Sequence, residues 1–132
     1  LNGCIGGLVA ITAEPLMPSP FAAILIGAVG GVIVVFGTKL LFSLKIDDVV
    51  GAVPAHLFAG IWGTLAVPIT NPDTTFGAQL LGVVSINAFV FLVALLVWSI
   101  MKSTIGIRLS KEAETKGTDV VETGVIGYAI RD

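Results

Sequence analysis

One titratable side chain, His56, interrupts the apolar stretch GAVPAHLFAGIWGTLAVPI at residues 51 to 69. An ionisable group within a run of membrane-spanning length is costly, so by default it marks a functional site facing a bundle interior or a water-filled cavity. Imidazole titrates near neutrality and can donate, accept or relay a proton without carrying a fixed charge. At helical spacing Ala52, Gly60 and Thr64 share its side, while Leu57, Phe58, Ile61, Trp62 and Leu65 gather on the bulky one. That face leaves free volume beside the ring and places a hydroxyl two turns along, as the passage of a small guest would require. A second reading stays open at this stage: a histidine bonded to a neighbouring helix and serving as structural glue, worth roughly 0.6–2 kcal/mol in a membrane.

Other chemistries lack their residues. Asp47, Asp48 and Asp73 lie in loops or at span ends, so no full span holds the carboxylate that a proton-driven rotor or carboxylate-coupled cation carrier needs. There is no glycine-rich phosphate loop after a strand and no nucleophile elbow, so no catalytic residue and no enzymatic activity are expected. Cys4 is the single cysteine. It excludes an internal disulfide, lacks the companions of a metal site, and reads as a small buried apolar side chain. No cofactor or metal is expected. Gln79, Ser85 and Asn87 in the last apolar run read as interhelical hydrogen bonds rather than ligands. The Asp47-Asp48 pair reads as a helix N-terminal cap, and Ser110 as the cap of a short tail helix carrying Lys111, Glu112 and Glu114.

The elements that must position these residues are membrane helices. Of 132 residues, 55% are hydrophobic and 12% charged, against about a quarter charged in soluble domains. The net charge of −2 and the scattered basic residues exclude a nucleic-acid surface. Residues 21 to 42, 49 to 70 and 77 to 101 each reach the roughly 20 residues of a transmembrane helix. Residues 1 to 13 are apolar but too short to span, and no basic n-region precedes them. They read as the end of a span, which makes the chain the C-terminal piece of a longer membrane protein. The loops AEPLMPSP, Lys45-Ile46-Asp47-Asp48 and PITNPDTT are turn-forming, and residues 102 to 132 form a water-exposed tail. Lys39 and Lys45 mark the second loop, and Lys102, Arg108, Lys111, Lys116 and Arg131 the tail; the first and third loops hold no Lys or Arg. That asymmetry puts loop two and the tail on the cytoplasmic side, with Trp98 as an interfacial anchor. Ala23, Gly27 and Gly31 form one small-residue stripe and Gly51, Ala55, Ala59 and Gly63 another, both suited to close helix packing.

The order and spacing of several segments carry a resemblance. Leu1-Asn2-Gly3, Gly7-Leu8-Val9-Ala10-Ile11-Thr12, Lys45-Ile46-Asp47-Asp48, Gly51-Ala52-Val53-Pro54-Ala55-His56 and Gly60-Ile61-Trp62-Gly63-Thr64 resemble the C-terminal third of an ammonium transporter of the Amt/Mep/Rh family. The tail segments Thr104-Ile105-Gly106-Ile107-Arg108, Gly117-Thr118-Asp119 and Glu122-Thr123-Gly124 resemble that family's cytoplasmic end, so the likeness covers essentially the whole chain. It implies an all-α membrane protein with an eleven-helix fold, ten helices forming two inverted repeats, assembled as a homotrimer in the cell membrane. This chain would supply the end of helix eight through helix eleven. His56 would be the second of a pair of pore histidines, with its partner in the first repeat. Ammonium would lose its water and a proton near the pair and pass as ammonia through an apolar channel, while potassium has no proton to give up. Ala52, Gly60 and Thr64 would line that pore. Asp47, Asp48, Gly117 and Asp119 would have structural or regulatory roles, with a PII-type signal protein docking near the tail.

The sequence departs from the family pattern at several places. Leu57 follows the histidine where glycine is common, Lys116 precedes the Gly-x-Asp where an acidic residue is usual, Thr123 replaces a histidine, and Gly127 replaces the alanine before Tyr128. These changes bear on local packing and on tail control. Two alternatives remain: an ammonium sensor built on a transporter-like core, which would need a signalling domain, and a non-conducting fragment that uses its glycine faces only to assemble.

Overall fold

The computed structural model describes residues 1–16 and 19–127. Met17 and Pro18 of the first loop, and Tyr128 and Arg131 of the tail, lie outside the described residues. Every regular element described is helical: α1 (Asn2–Ile11), α2 (Pro20–Ser43), a π-turn (Val53–Phe58) running into α3 (Ala59–Thr70), α4 (Phe76–Thr104), α5 (Lys111–Lys116) and a second π-turn (Asp119–Thr123). Three are long and apolar enough to cross a membrane: α2, the π-turn with α3, and α4. The chain divides into two compact units, Leu1–Ala88 and Phe89–Asp132, with the boundary inside α4.

In the first unit, local chemistry sets where helices begin and end. Ser19, extended at φ −132°, accepts from the Ala22 N–H at 3.5 Å, and Pro20 occupies the first helical turn, where its missing N–H leaves nothing unsatisfied. At the other end of α2 the Lys45 and Ile46 N–H groups donate to the Phe42 and Leu41 carbonyls at 3.1 and 3.0 Å. This is the Schellman pattern, which needs a left-handed residue after the cap. Lys45 fills that place at φ 57°, the one positive φ among described non-glycine residues.

The helices α1, α2 and α3 meet through small residues. A Cβ at Gly30 would lie 2.7 Å from Ala10 Cβ and 2.9 Å from the Gly6 carbonyl oxygen, and one at Gly7 would lie 3.0 Å from the Gly27 carbonyl oxygen. In lipid, where apolar contrast offers little, such backbone approach is the main source of helix association. From the entry of the π-turn into α3, all four members of the stripe Gly51, Ala55, Ala59 and Gly63 are buried. On α2 the buried stripe is Ile26, Gly30, Val34, Gly37 and Leu41, one position round from the expected Ala23-Gly27-Gly31 line. The shift arises because α2 serves two neighbours: Gly27 and Gly31 approach the Gly7 and Gly3 carbonyls of α1, while Val34 packs on Ala55 of the π-turn and Ala59 of α3. Cys4 is exposed rather than buried. Its neighbours Gly3, Gly6 and Gly7 take the packed side of α1.

Three long-range hydrogen bonds tie the unit. Trp62 Nε1 donates to the Ile26 carbonyl at 3.0 Å, Asn2 Nδ2 to the Val50 carbonyl at 2.8 Å, and Asn71 Nδ2 to Glu14 Oε2 at 2.9 Å. Glu14 is a buried carboxylate, 9% exposed, so the Asn71 bond meets a group that would otherwise be expensive to desolvate.

In the second unit the remainder of α4 has no buried residue, and Trp98 is exposed three residues before the end of the apolar run at Met101. Ser110 caps α5 by accepting from the Ala113 N–H at 3.1 Å. Arg108 Nε lies 2.9 Å from Glu114 and Lys116 Nζ 2.7 Å from Glu112, exposed pairs of small individual weight.

Gly63 yields the sharpest packing test, since a Cβ there would fall 2.8 Å from Ala10 Cα, on backbone that cannot swing aside. Gly63→Ala is expected to destabilise the complete protein by about 1–3 kcal/mol, read by denaturant unfolding in detergent. Gly77→Ala, which faces open space, provides the neutral reference.

Candidate functional site

The segment before His56 is held by its own caps. Asp48 accepts from the Ala52 and Val53 N–H groups through its two carboxylate oxygens, each at 2.9 Å, satisfying donors that a helix start leaves free and placing negative charge at the positive end of the dipole. Gly51 turns the chain into the helix at φ 71°, where a side chain would strain the backbone and collide with Asn2 Nδ2. Asp47 is exposed beside a second cleft that also includes Thr38, Asp48 and Pro54. Of the acidic pair, Asp48 is thus the cap.

Pro54 has no N–H to give, and the chain widens into a π-turn from Val53 to Phe58 before settling into α3. The Ala59 N–H reaches back five residues to the Pro54 carbonyl. His56 sits at the middle of this turn and is exposed. π-turns are rare and are frequently found at functional sites.

His56 opens onto a cleft of about 300 Å³ within the first unit. From the π-turn and α3 come His56, Leu57, Gly60, Ile61 and Thr64; from α4 come Gln79, Gly82, Val83, Ile86 and Asn87. The cleft therefore brings together His56, Gly60 and Thr64 of the expected face. It does not include Ala52, which is exposed one turn earlier. It does include Leu57 and Ile61, which α-helical spacing assigns to the bulky side. Leu57 and Ile61 stand one position on from His56 and Gly60, so a cleft walled by α4 takes in both rows, while Ala52 lies before the turn begins. Trp62 points elsewhere, to the Ile26 carbonyl.

Sequence reasoning did not place Gln79 and Asn87 in this cleft. Asn87 Nδ2 donates to the Val83 carbonyl of its own helix at 2.7 Å, in place of the interhelical bond expected of it. Ser85 is exposed. The available signal was periodic: residues 79, 82, 83, 86 and 87 fall on one helical face, with a polar amide at each end. Among the described residues no cluster of three or more His, Cys, Asp or Glu side chains could hold a metal ion. What the cleft offers is one imidazole, one hydroxyl and two amides set in apolar walls, suited to a small hydrogen-bonding guest.

In the tail, Gly117 adopts φ 93°, and a Cβ there would lie 2.6 Å from Asp119 Oδ1. The Gly127 N–H donates to Asp119 Oδ2 at 2.6 Å. This bond, then one from the Val120 N–H, holds the Asp119 carboxyl below its usual value of 3.8. Gly117 and Asp119 thus belong to one turn, closed from residue 119 to residue 127.

Comparison with known proteins gives a consistent result. The sequence profile of the Ammonium Transporter Family matches residues 1–128. A Synechocystis sp. protein named as an ammonium transporter is 43% identical over 94% of this chain and 28% of its own length. Ammonium transporter Amt2 of Archaeoglobus fulgidus is 34% identical over 96% of this chain and 31% of its own. The ammonium transporter of Bacillus subtilis is 31% identical over 97% and 36%. The chain thus spans about a third of the length of these relatives.

Two measurements test the caps. Asp48→Ala removes the acceptor of two helix-start donors and is expected to destabilise by about 1 kcal/mol, with Asp47→Ala near zero in the same unfolding assay. For Asp119, the folded carboxyl binds its proton less readily than the unfolded one. The turn's extra stability is therefore complete well above pH 3.8 and is lost as pH falls through that value towards the folded pKa. The Gly127 amide resonance should titrate with a midpoint below 3.8; a midpoint at or above it would contradict the assigned bond.

Proposed function

The chain belongs to the Ammonium Transporter Family, and we propose that in the complete protein it forms one wall of a pathway that moves ammonium, as ammonia, across a membrane. The observation that carries this reading is His56: an imidazole exposed to a cleft of about 300 Å³ in a helix otherwise built of apolar and small residues.

The chemistry follows from desolvation. A bare cation entering an apolar passage forfeits hydration that the walls do not replace, whereas a neutral molecule loses far less and is compensated by a hydrogen bond or two. Ammonium becomes neutral by giving up a proton, and an imidazole beside the pathway, with one ring nitrogen able to donate and the other to accept, can handle that proton. Potassium has no such route and is rejected. Gly60 leaves room next to the ring, and Thr64 supplies a hydroxyl two turns further on.

In this reading a second histidine faces His56 from the part of the protein that this chain does not span, as inverted-repeat symmetry provides. The assembly is a homotrimer in the cell membrane. The second loop and the tail, which hold all the basic residues except Lys39 near the adjoining end of α2, lie on the cytoplasmic side. The turn formed by Gly117 and Asp119 lies where a PII-type signal protein docks.

His56→Ala in the complete protein is expected to lower methylammonium uptake at least about tenfold, or roughly 1.4 kcal/mol of barrier, in cells without another ammonium uptake route. Unchanged rate and unchanged discrimination against potassium would remove the role given to His56.

A further inference from the structure

The π-turn that carries His56 packs on α2 at Val34, which meets Ala55, and most closely at Gly37. Gly37 is buried, and a Cβ there would lie 2.6 Å from Phe58 Cδ2 and 3.1 Å from both Phe58 Cε2 and Pro54 Cβ. Pro54 is among the most completely buried side chains of the protein, and its ring is fused to the backbone, so it cannot withdraw by changing rotamer. Phe58 is half-buried. These two residues flank His56 two positions before and two after. Two residues make roughly half a turn in an α- or a π-helix, so both project from the side of the turn away from the imidazole.

The contact therefore acts as a seat. With Pro54 and Phe58 both fitted against the bare backbone at Gly37, the turn has one rotational setting, and that setting determines where the His56 ring enters the cleft. The turn stands at the start of its helix, with no full helical turn before it to brace it, so packing against other elements helps to hold its geometry. We propose that Gly37, with Pro54 and Phe58, positions His56, so that a residue on a different helix governs proton handling in the cleft. This inference rests on the transport reading of His56.

The test uses the complete protein and methylammonium uptake per transporter in the membrane, followed across pH. Gly37→Ala is expected to lower uptake about tenfold and to shift its pH profile, because the imidazole is turned into different surroundings. Phe58→Leu in the Gly37→Ala background makes room for the added methyl and should restore both. Phe58→Leu alone, which leaves the seat loose without a clash, should shift the profile even if Gly37→Ala fails to reach the membrane. The inference is overturned if Gly37→Ala changes only the amount of protein, if the double variant shows no recovery, or if Phe58→Leu leaves the profile untouched. His56→Ala separates the two levels: normal uptake by that variant sinks the transport reading itself, whereas its loss alongside a neutral Gly37→Ala sinks the positioning role alone.

Discussion

Where α3 passes α1, Gly63 lies so near the Ala10 backbone that no side chain fits between them, and the same is true where Gly30 of α2 meets Gly6. Contacts of this kind allow almost no freedom in rotation or height, because backbone atoms cannot repack as side chains do. Once Gly51, Ala55, Ala59 and Gly63 are committed to the buried side of their helix, the opposite side is committed as well. His56, Gly60 and Thr64 face the cleft because the small residues between them face α1 and α2. The site is in this sense the reverse of the packing seam, and a disturbance of either reaches the other.

The polar groups follow the same economy. At the entry to the π-turn, Asp48 answers two free N–H groups while Asn2 holds the Val50 carbonyl. At the far end of α3, Asn71 answers the carboxylate of Glu14, and between these points Trp62 spans to α2. The helix is tied at both ends and in the middle. Among the described residues no fully buried side-chain nitrogen or oxygen lacks a partner, as a low-dielectric surrounding requires. The histidine differs in being turned outward to open space, not into that satisfied interior.

Much of this was legible before any coordinates. The apolar runs indicate helices because lipid-length stretches with few charges have few other ways to satisfy their backbones, and Asp48 and Ser110 cap helices as their types and places suggest. The faces of α2 and α4 were harder, since both helices are apolar all round and periodicity carries little information when nearly every position is greasy. The burial of Gly30 rather than Gly27, the exposure of Cys4, and the turning of Gln79 and Asn87 towards His56 depend on which neighbour lies where. The π-turn was hidden for another reason. Pro54 is at home in the first turn of a helix, and nothing in its type says whether that turn is regular or widened.

The composition of the cleft bears on why the titratable residue is an imidazole. A carboxylate at this depth would need a cation or several donors to stay charged, and the facing wall of α4 offers Gln79 and Asn87, the latter already engaged with its own backbone. A lysine would repel the cation that the proposed pathway admits. An imidazole carries no fixed charge, and Leu57, Ile61, Val83 and Ile86 around it give a dehydrated metal cation too few oxygens to replace its water. In the proposed pathway selectivity would need no ion-sized ring of ligands: it would arise because walls that solvate poorly are crossed cheaply only by a guest able to leave its charge behind.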